Sequence, residues 1–191
     1  MKYRKELFII ALLSIICSSS LLVNAQENYP VPVKTDRMLF YLQRSFNRNT
    51  IIYDLNRLPD GSVNPKKPVN IYWIRYQDDG RKAELSYLQN KAFGIRCKVS
   101  DRGESGFIMH FNYFDKREIL LSKTNTGDYK AFVNINHEMA ELVSAFIKSE
   151  SNSSGMPQSF KFLEFHGISV MTGKLISEKI MLWCENKFQF L

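Results

Sequence analysis

Residues 69–76, Val-Asn-Ile-Tyr-Trp-Ile-Arg-Tyr, restrict the fold more than any other stretch. Val69, Ile71, Trp73 and Arg75 fall on one face of a strand with period two, and Tyr72, Ile74 and Tyr76 on the other. Both faces are largely apolar, which predicts a central strand covered on both sides. Pro68 precedes it, where a proline removes no needed ladder donor. Asp78-Asp79-Gly80 then marks a tight turn, with Gly80 free to take a positive φ. Leu85, Leu88 and Ala92 recur at helical spacing, so the pattern predicts one short helix at about 82–92. Gly94 is placed to end it in a left-handed cap, and 95–99 alternate as a new strand.

Arg75 and Trp73 make this stretch a candidate site. A guanidinium among apolar residues needs an acid, a ring or a ligand. One reading is an ion pair that fixes the fold, with Glu84, Glu164 or Glu178 as the acid. The sharper reading is an anchor for an anionic ligand group, with Trp73, Tyr72 and Tyr87 as an aromatic platform and Glu84 beside them.

The chain opens with a basic start at Lys2, Arg4 and Lys5, an apolar run from Leu7 to Ile16, and small residues around Ala25. That is the form of a secretory signal peptide over 1–25, not of a retained membrane span. Without it the net charge falls from +7 to +5, since three basic side chains and one acid are lost. The remaining basic residues are scattered rather than striped, which argues against a nucleic-acid partner. The leader implies export to the periplasm, the outer membrane surface or the medium. Cys97 and Cys184 then either pair or stay free, because spacing alone does not supply bridge geometry.

Residues 26–37 read as an extended, mobile lead-in, 38–181 as one β-rich domain, and 182–191 as an apolar tail. Within 38–55 a helix and a hairpin compete, and Thr50-Ile51-Ile52-Tyr53 favours the hairpin. Phe107, Met109, Phe111 and Tyr113 share one face, as do Tyr129, Ala131, Val133 and Ile135. Residues 138–148 fit either a helix or a strand. A last hairpin runs over 159–168 and 174–181 and turns at Thr172-Gly173, with Gly167 marking a bulge or a close approach. Short strands at this interval predict a mainly β fold, an antiparallel sandwich or flattened barrel.

The runs LFYLQRSFNRNTIIYDLN, NPKKPVNIYWIRY, DGRKAELSYLQNKAFGI and FLEFHGISVMTG with SEKI resemble a family of secreted bacterial proteins, domain-of-unknown-function family 4833. The likeness spans about 38–181. It implies export, a compact β-rich domain, a hairpin over 39–55 and a strand over 142–147, and it implies no activity. The family pattern has an acid at the position of Ser169 and a glycine near His137, so this chain departs from it at both turns.

No phosphate loop, nucleophile elbow or metal-ligand spacing is present, and His110, His137 and His166 form no ligand pair. The residues imply no cofactor. Glu164 and Glu178 are the candidate catalytic pair, as acid and base on a glycan. The residues favour a non-catalytic binding or envelope-associated module whose ligand is a glycan, lipid or envelope protein. The alternatives are an envelope polysaccharide hydrolase using Glu164 and Glu178, or a structural partner of an outer-membrane assembly docked through 182–191.

Overall fold

One long strand, Glu138–Ser151, joins two halves of a single sheet. The computed structural model describes residues 29–100, 106–151 and 157–182. In chain order the elements are β1 (Met38–Arg44), β2 (Asn47–Leu55), β3 (Val69–Ile74), β4 (Lys82–Glu84), α1 (Tyr87–Phe93), β5 (Ile95–Val99), β6 (Gly106–Phe111), β7 (Ile119–Lys123), β8 (Tyr129–Ile135), β9 (Glu138–Ser151), β10 (Pro157–Ser169) and β11 (Leu175–Met181). The first part of β9 pairs with β8 and its later part with β1, and β10 pairs with β9 along its other edge. One wing is β1-β2-β3-β4, the other β8-β7-β6-β5.

The sheet is strongly curled and open, a half-barrel. The expectation of a mainly β fold with one short helix holds at that level. Not every pairing is antiparallel, because Tyr41–Arg44 of β1 run parallel to Ser144–Ile147 of β9. The two wings meet through their rings: Phe40 and Tyr53 stack at 4.3 Å, and both meet Phe111 edge-on at 6.1 and 5.8 Å. Phe111 in turn lies 6.3 Å from Phe165 of β10. The alternating faces read in β6 and β8 point into this core: Met109, Phe111, Ala131, Val133 and Ile135 are all buried.

The first two strands form the expected hairpin, and 138–148 is strand throughout. Gly173, at φ +69°, lies in the turn between β10 and β11. Gly167 meets both expectations: the β9 register shifts beside it, and a Cβ there would lie 2.8 Å from the Glu141 carbonyl and 2.9 Å from the Ala140 Cβ. The lead-in lies against the body at Tyr29, whose ring meets Phe146, and at Pro30, whose carbonyl accepts from Gln43.

The helix expected at 82–92 is shorter. Lys82–Glu84 pair with β3 as an edge strand, and α1 begins only after Ser86, whose hydroxyl accepts from the Gln89 N–H while Gln89 returns a bond to the Ser86 N–H. That capping box marks the start, and helical periodicity alone misses it. Gly94 ends α1 in extended backbone (φ −67°) rather than in a left-handed cap. Its need for glycine is a close approach, since a Cβ there would lie 2.7 Å from Asn112 Nδ2. β3 is next to the edge rather than central, so Tyr72 and Ile74 on its outer face are only partly buried. The leader 1–25, Cys184 and the tail beyond Leu182 lie outside the described residues.

Candidate functional site

β1 alternates Phe40, Leu42 and Arg44 toward the core, and the register sets Leu42 against Ile51 and Ile51 against Trp73. The last of these inward residues is a cation. Arg44 is 7% exposed. Its guanidinium carbon lies 4.2 Å from the Trp73 ring centroid, 4.9 Å from that of Phe93 and 5.8 Å from that of Phe46. One Nη donates to Asn47 Oδ1 at 3.0 Å, while the buried Nε has no partner among the described residues. Among the described residues no carboxylate pairs with it. Burial lowers its pKa to about 10, against a smaller upward pull from Tyr53. The ring faces stabilise the cation, but they do not cancel its charge.

Helix α1 holds the box together. Gln89 Oε1 accepts from Trp73 Nε1 at 3.0 Å and from the Ser86 N–H at 2.9 Å, so one side chain both caps the helix and fixes the indole. Tyr53, fully buried, donates its hydroxyl to the Phe93 carbonyl at 2.7 Å, and burial pushes its pKa far up. Phe93 meets Trp73 at 6.1 Å and Tyr113 at 6.3 Å. The Tyr113 hydroxyl is buried without a partner among the described residues, and burial raises its pKa well above the ordinary tyrosine value. An uncompensated cation and an unpartnered hydroxyl thus flank the same phenylalanine.

The residues proposed from sequence do not converge. Trp73 faces the core and Arg44. Arg75 stands past the end of β3, where its Nε meets Asp78 at 2.9 Å with both side chains well exposed. Tyr72 is on the opposite face from Trp73, donating to Asp54 Oδ2 at 2.9 Å with Lys82 Nζ 4.7 Å from its ring. Glu84 pairs across from Tyr72 and is exposed. Tyr87 is 72% exposed, with Lys91 Nζ 4.8 Å from its ring. The aromatic–arginine pairing expected at Trp73 therefore exists, but its arginine is Arg44. The signal for it was Arg44 falling two residues after Leu42 on an alternating face.

Glu164 and Glu178 occupy opposite faces of the β10–β11 ladder. Glu178 stands across from Phe165, which points into the core, while Glu164 pairs with Lys179 on the outer face. Gly167 stands across from Ile176, not from Glu178. Glu178 accepts from Arg117 at 2.8 Å and from the Asn136 N–H at 2.9 Å. Burial works to raise its pKa, and these bonds outweigh it and hold the carboxyl below its ordinary value. His110 Nδ1 lies 2.9 Å from the Asp115 carbonyl. His137 and Asn136 form the two-residue turn into β9 with φ of 67° and 49°. Cys97 is a free, half-buried thiol whose pKa burial raises to about 11.

Among the described residues no helix is long and apolar enough to cross a membrane. No curated protein matches the chain, and no solved structure does. A family model matches residues 40–179, nearly all of the described fold, including every strand that builds the Arg44 box, and the chain belongs to that family, the domain of unknown function DUF4833.

Proposed function

We propose that this chain is an exported, non-catalytic binding module whose ligand presents an anionic group to Arg44. One observation carries the reading: among the described residues, the buried guanidinium has an unpartnered Nε and no carboxylate beside it. An unpaired buried charge is costly, and natural interiors avoid it by pairing or by loss of the charge. Even with its pKa lowered to about 10, Arg44 stays charged at neutral pH. A ligand carboxylate, sulfate or phosphate supplies the missing counter-charge, and Trp73 and Phe93 supply apolar walls beside it. Phe46 and Asn47 at the β1–β2 turn are both partly exposed, so this turn is the route in. The envelope compartment implied by the leader offers acidic glycans and lipid headgroups as sources of such a group.

The test is a thermal-shift series on the purified chain with acetate, sulfate, phosphate, glucuronate and acidic cell-wall fragments. A ligand that binds only the native state raises the melting temperature in step with its concentration. The expected result is a shift from one anion class that Arg44→Met abolishes. The reading is overturned by a flat series, or by an anion shift that survives Arg44→Met unchanged.

A further inference from the structure

Among the described residues the sheet ends at β4, β5 and β11, and these ends differ. β4 is three residues long and exposes Lys82 and Glu84, and β5 exposes Arg96 and Lys98, the usual short or charged protection against edge pairing. β11 also exposes a cation, Lys179, but it is the longest of the three. It has seven residues, pairs among the described residues with β10 alone, and carries Leu175 at 70% and Met181 at 47% exposure.

Its register shows which groups β10 leaves unused. The Ser169 N–H donates to the Lys174 carbonyl and the Leu182 N–H to the Lys161 carbonyl. In an antiparallel ladder such pairs recur every second residue, so Ile176, Glu178 and Ile180 direct their backbone groups to β10. Leu175, Ser177, Lys179 and Met181 direct theirs outward. The position of Asn136 agrees, because its side-chain amide reaches the Ser177 carbonyl at 3.0 Å. That carbonyl keeps a second lone pair, and the other outward groups have no partner within the β10–β11 ladder.

The strand reads Leu-Ile-Ser-Glu-Lys-Ile-Met, a near-palindrome about Glu178. We propose that β11 is a homodimerisation edge, pairing antiparallel with β11 of a second copy of this chain about a twofold axis at Glu178. In that register Leu175 faces Met181 of the second copy and Ser177 faces its Lys179. All four residues have outward backbone groups, so both are hydrogen-bonded pairs. Ile176 faces Ile180 of the second copy in the intervening pair. The two central glutamates do not meet as free charges, because each is already held by its own Arg117 and Asn136.

The same register accounts for exposed apolar side chains. Ile168 stands beside Leu175 and Phe162 beside Met181 on the outer face. Pairing extends these into a row of Ile168, Leu175, then Met181 and Phe162 of the second copy, and the twofold axis repeats it. The near-palindrome makes this edge self-complementary, because a twofold axis then sets apolar against apolar and Ser177 against Lys179.

The experiment is sedimentation of the full chain across a concentration series, with far-ultraviolet circular dichroism on every variant. Wild type is expected to pass from monomer to dimer. Ser177→Pro and Lys179→Pro each remove an outward N–H that β10 does not use, and both are expected to be monomers with the wild-type β signal. Ser177→Ala is expected to dimerise as wild type does. Should the prolines unfold the chain, Leu175→Lys combined with Met181→Lys decides, since both side chains are exposed and would set lysine against lysine. Wild type that stays monomeric throughout overturns the proposal. So does a dimer that persists in the folded edge variants.

Discussion

The guanidinium carbon of Arg44 lies 4.2 Å from the Trp73 ring centroid, yet no acid among the described residues pairs with it. A structural cation–π pair and a binding anchor make opposite predictions for its removal. Arg44→Met keeps most of the volume and deletes the charge. If the site is kept for a ligand, the variant gains stability, by about 1–3 kcal/mol, as buried ion sites replaced by apolar residues often do. Urea melts of the two proteins measure the difference, and a loss of stability would make Arg44 a structural cation.

The same lowered pKa fixes the sign of a pH effect. The unfolded chain binds a proton more readily than folded Arg44 from pH about 10 up to the ordinary guanidinium range. Stability contributed by this group therefore rises with pH in that window and is flat below it. Arg44→Met should remove that rise, which the difference between the two proteins' alkaline melting curves shows directly.

Gln89 joins two jobs, the α1 cap and the Trp73 indole. Gln89→Ala leaves a buried indole N–H unpaired and breaks the capping box. Each loss costs about 1 kcal/mol or more. The variant should lose about 2 kcal/mol in denaturant melts, whereas Ser86→Ala, which leaves the indole bond in place, should lose about half as much.

Gly167→Ala brings a Cβ against the Glu141 carbonyl, the Ala140 Cβ and the Ile135 Cδ1, at 2.8 to 3.0 Å. Two of those three atoms belong to β9 and the third to β8, so none lies at the end of a long, exposed side chain. A loss of about 1–3 kcal/mol is expected, as for other overpacked positions. An unchanged melting temperature would mean that the strands part there more easily than their register implies.

Glu178 supplies an acid limb to the stability curve. Its folded pKa is lowered by Asn136 and Arg117 against the opposing effect of burial. Its contribution is complete above the ordinary carboxyl pKa of 4.5 and is lost as pH falls through the folded value. Glu178→Gln should lower stability at pH 7 by about 1–2 kcal/mol and converge on wild type in acid. A constant gap at every pH would assign the loss to packing instead of charge.

Period two was legible wherever one face of a strand meets the core: Phe107, Met109 and Phe111, or Ala131, Val133 and Ile135, needed nothing else. Thr172-Gly173 punctuated the last hairpin. The alternation misled at Arg75, because it was carried one residue past the end of β3 into the Asp78–Gly80 turn, whose Gly80 N–H returns to the Arg75 carbonyl. It was not applied to Arg44, because β1 fits a helical spacing equally well until its pairing with β2 is known. The Glu164–Glu178 relation depended on the register of one hairpin, and a shift of a single residue exchanges the faces.

The shared strand β9 also governs when the fold can form. The Ser45 hydroxyl and the Ser149 backbone, 104 residues apart, hydrogen-bond where β1 joins β9. Until residues 138–151 exist, the wing built by β1 and β2 has no strand to join it to the wing built by β6 to β8. Synthesis must therefore deliver almost four-fifths of the chain before the two halves can close on one core. Such long-range closure is slow, and it makes assembly a late, nearly all-at-once event rather than a stepwise growth from the first hairpin.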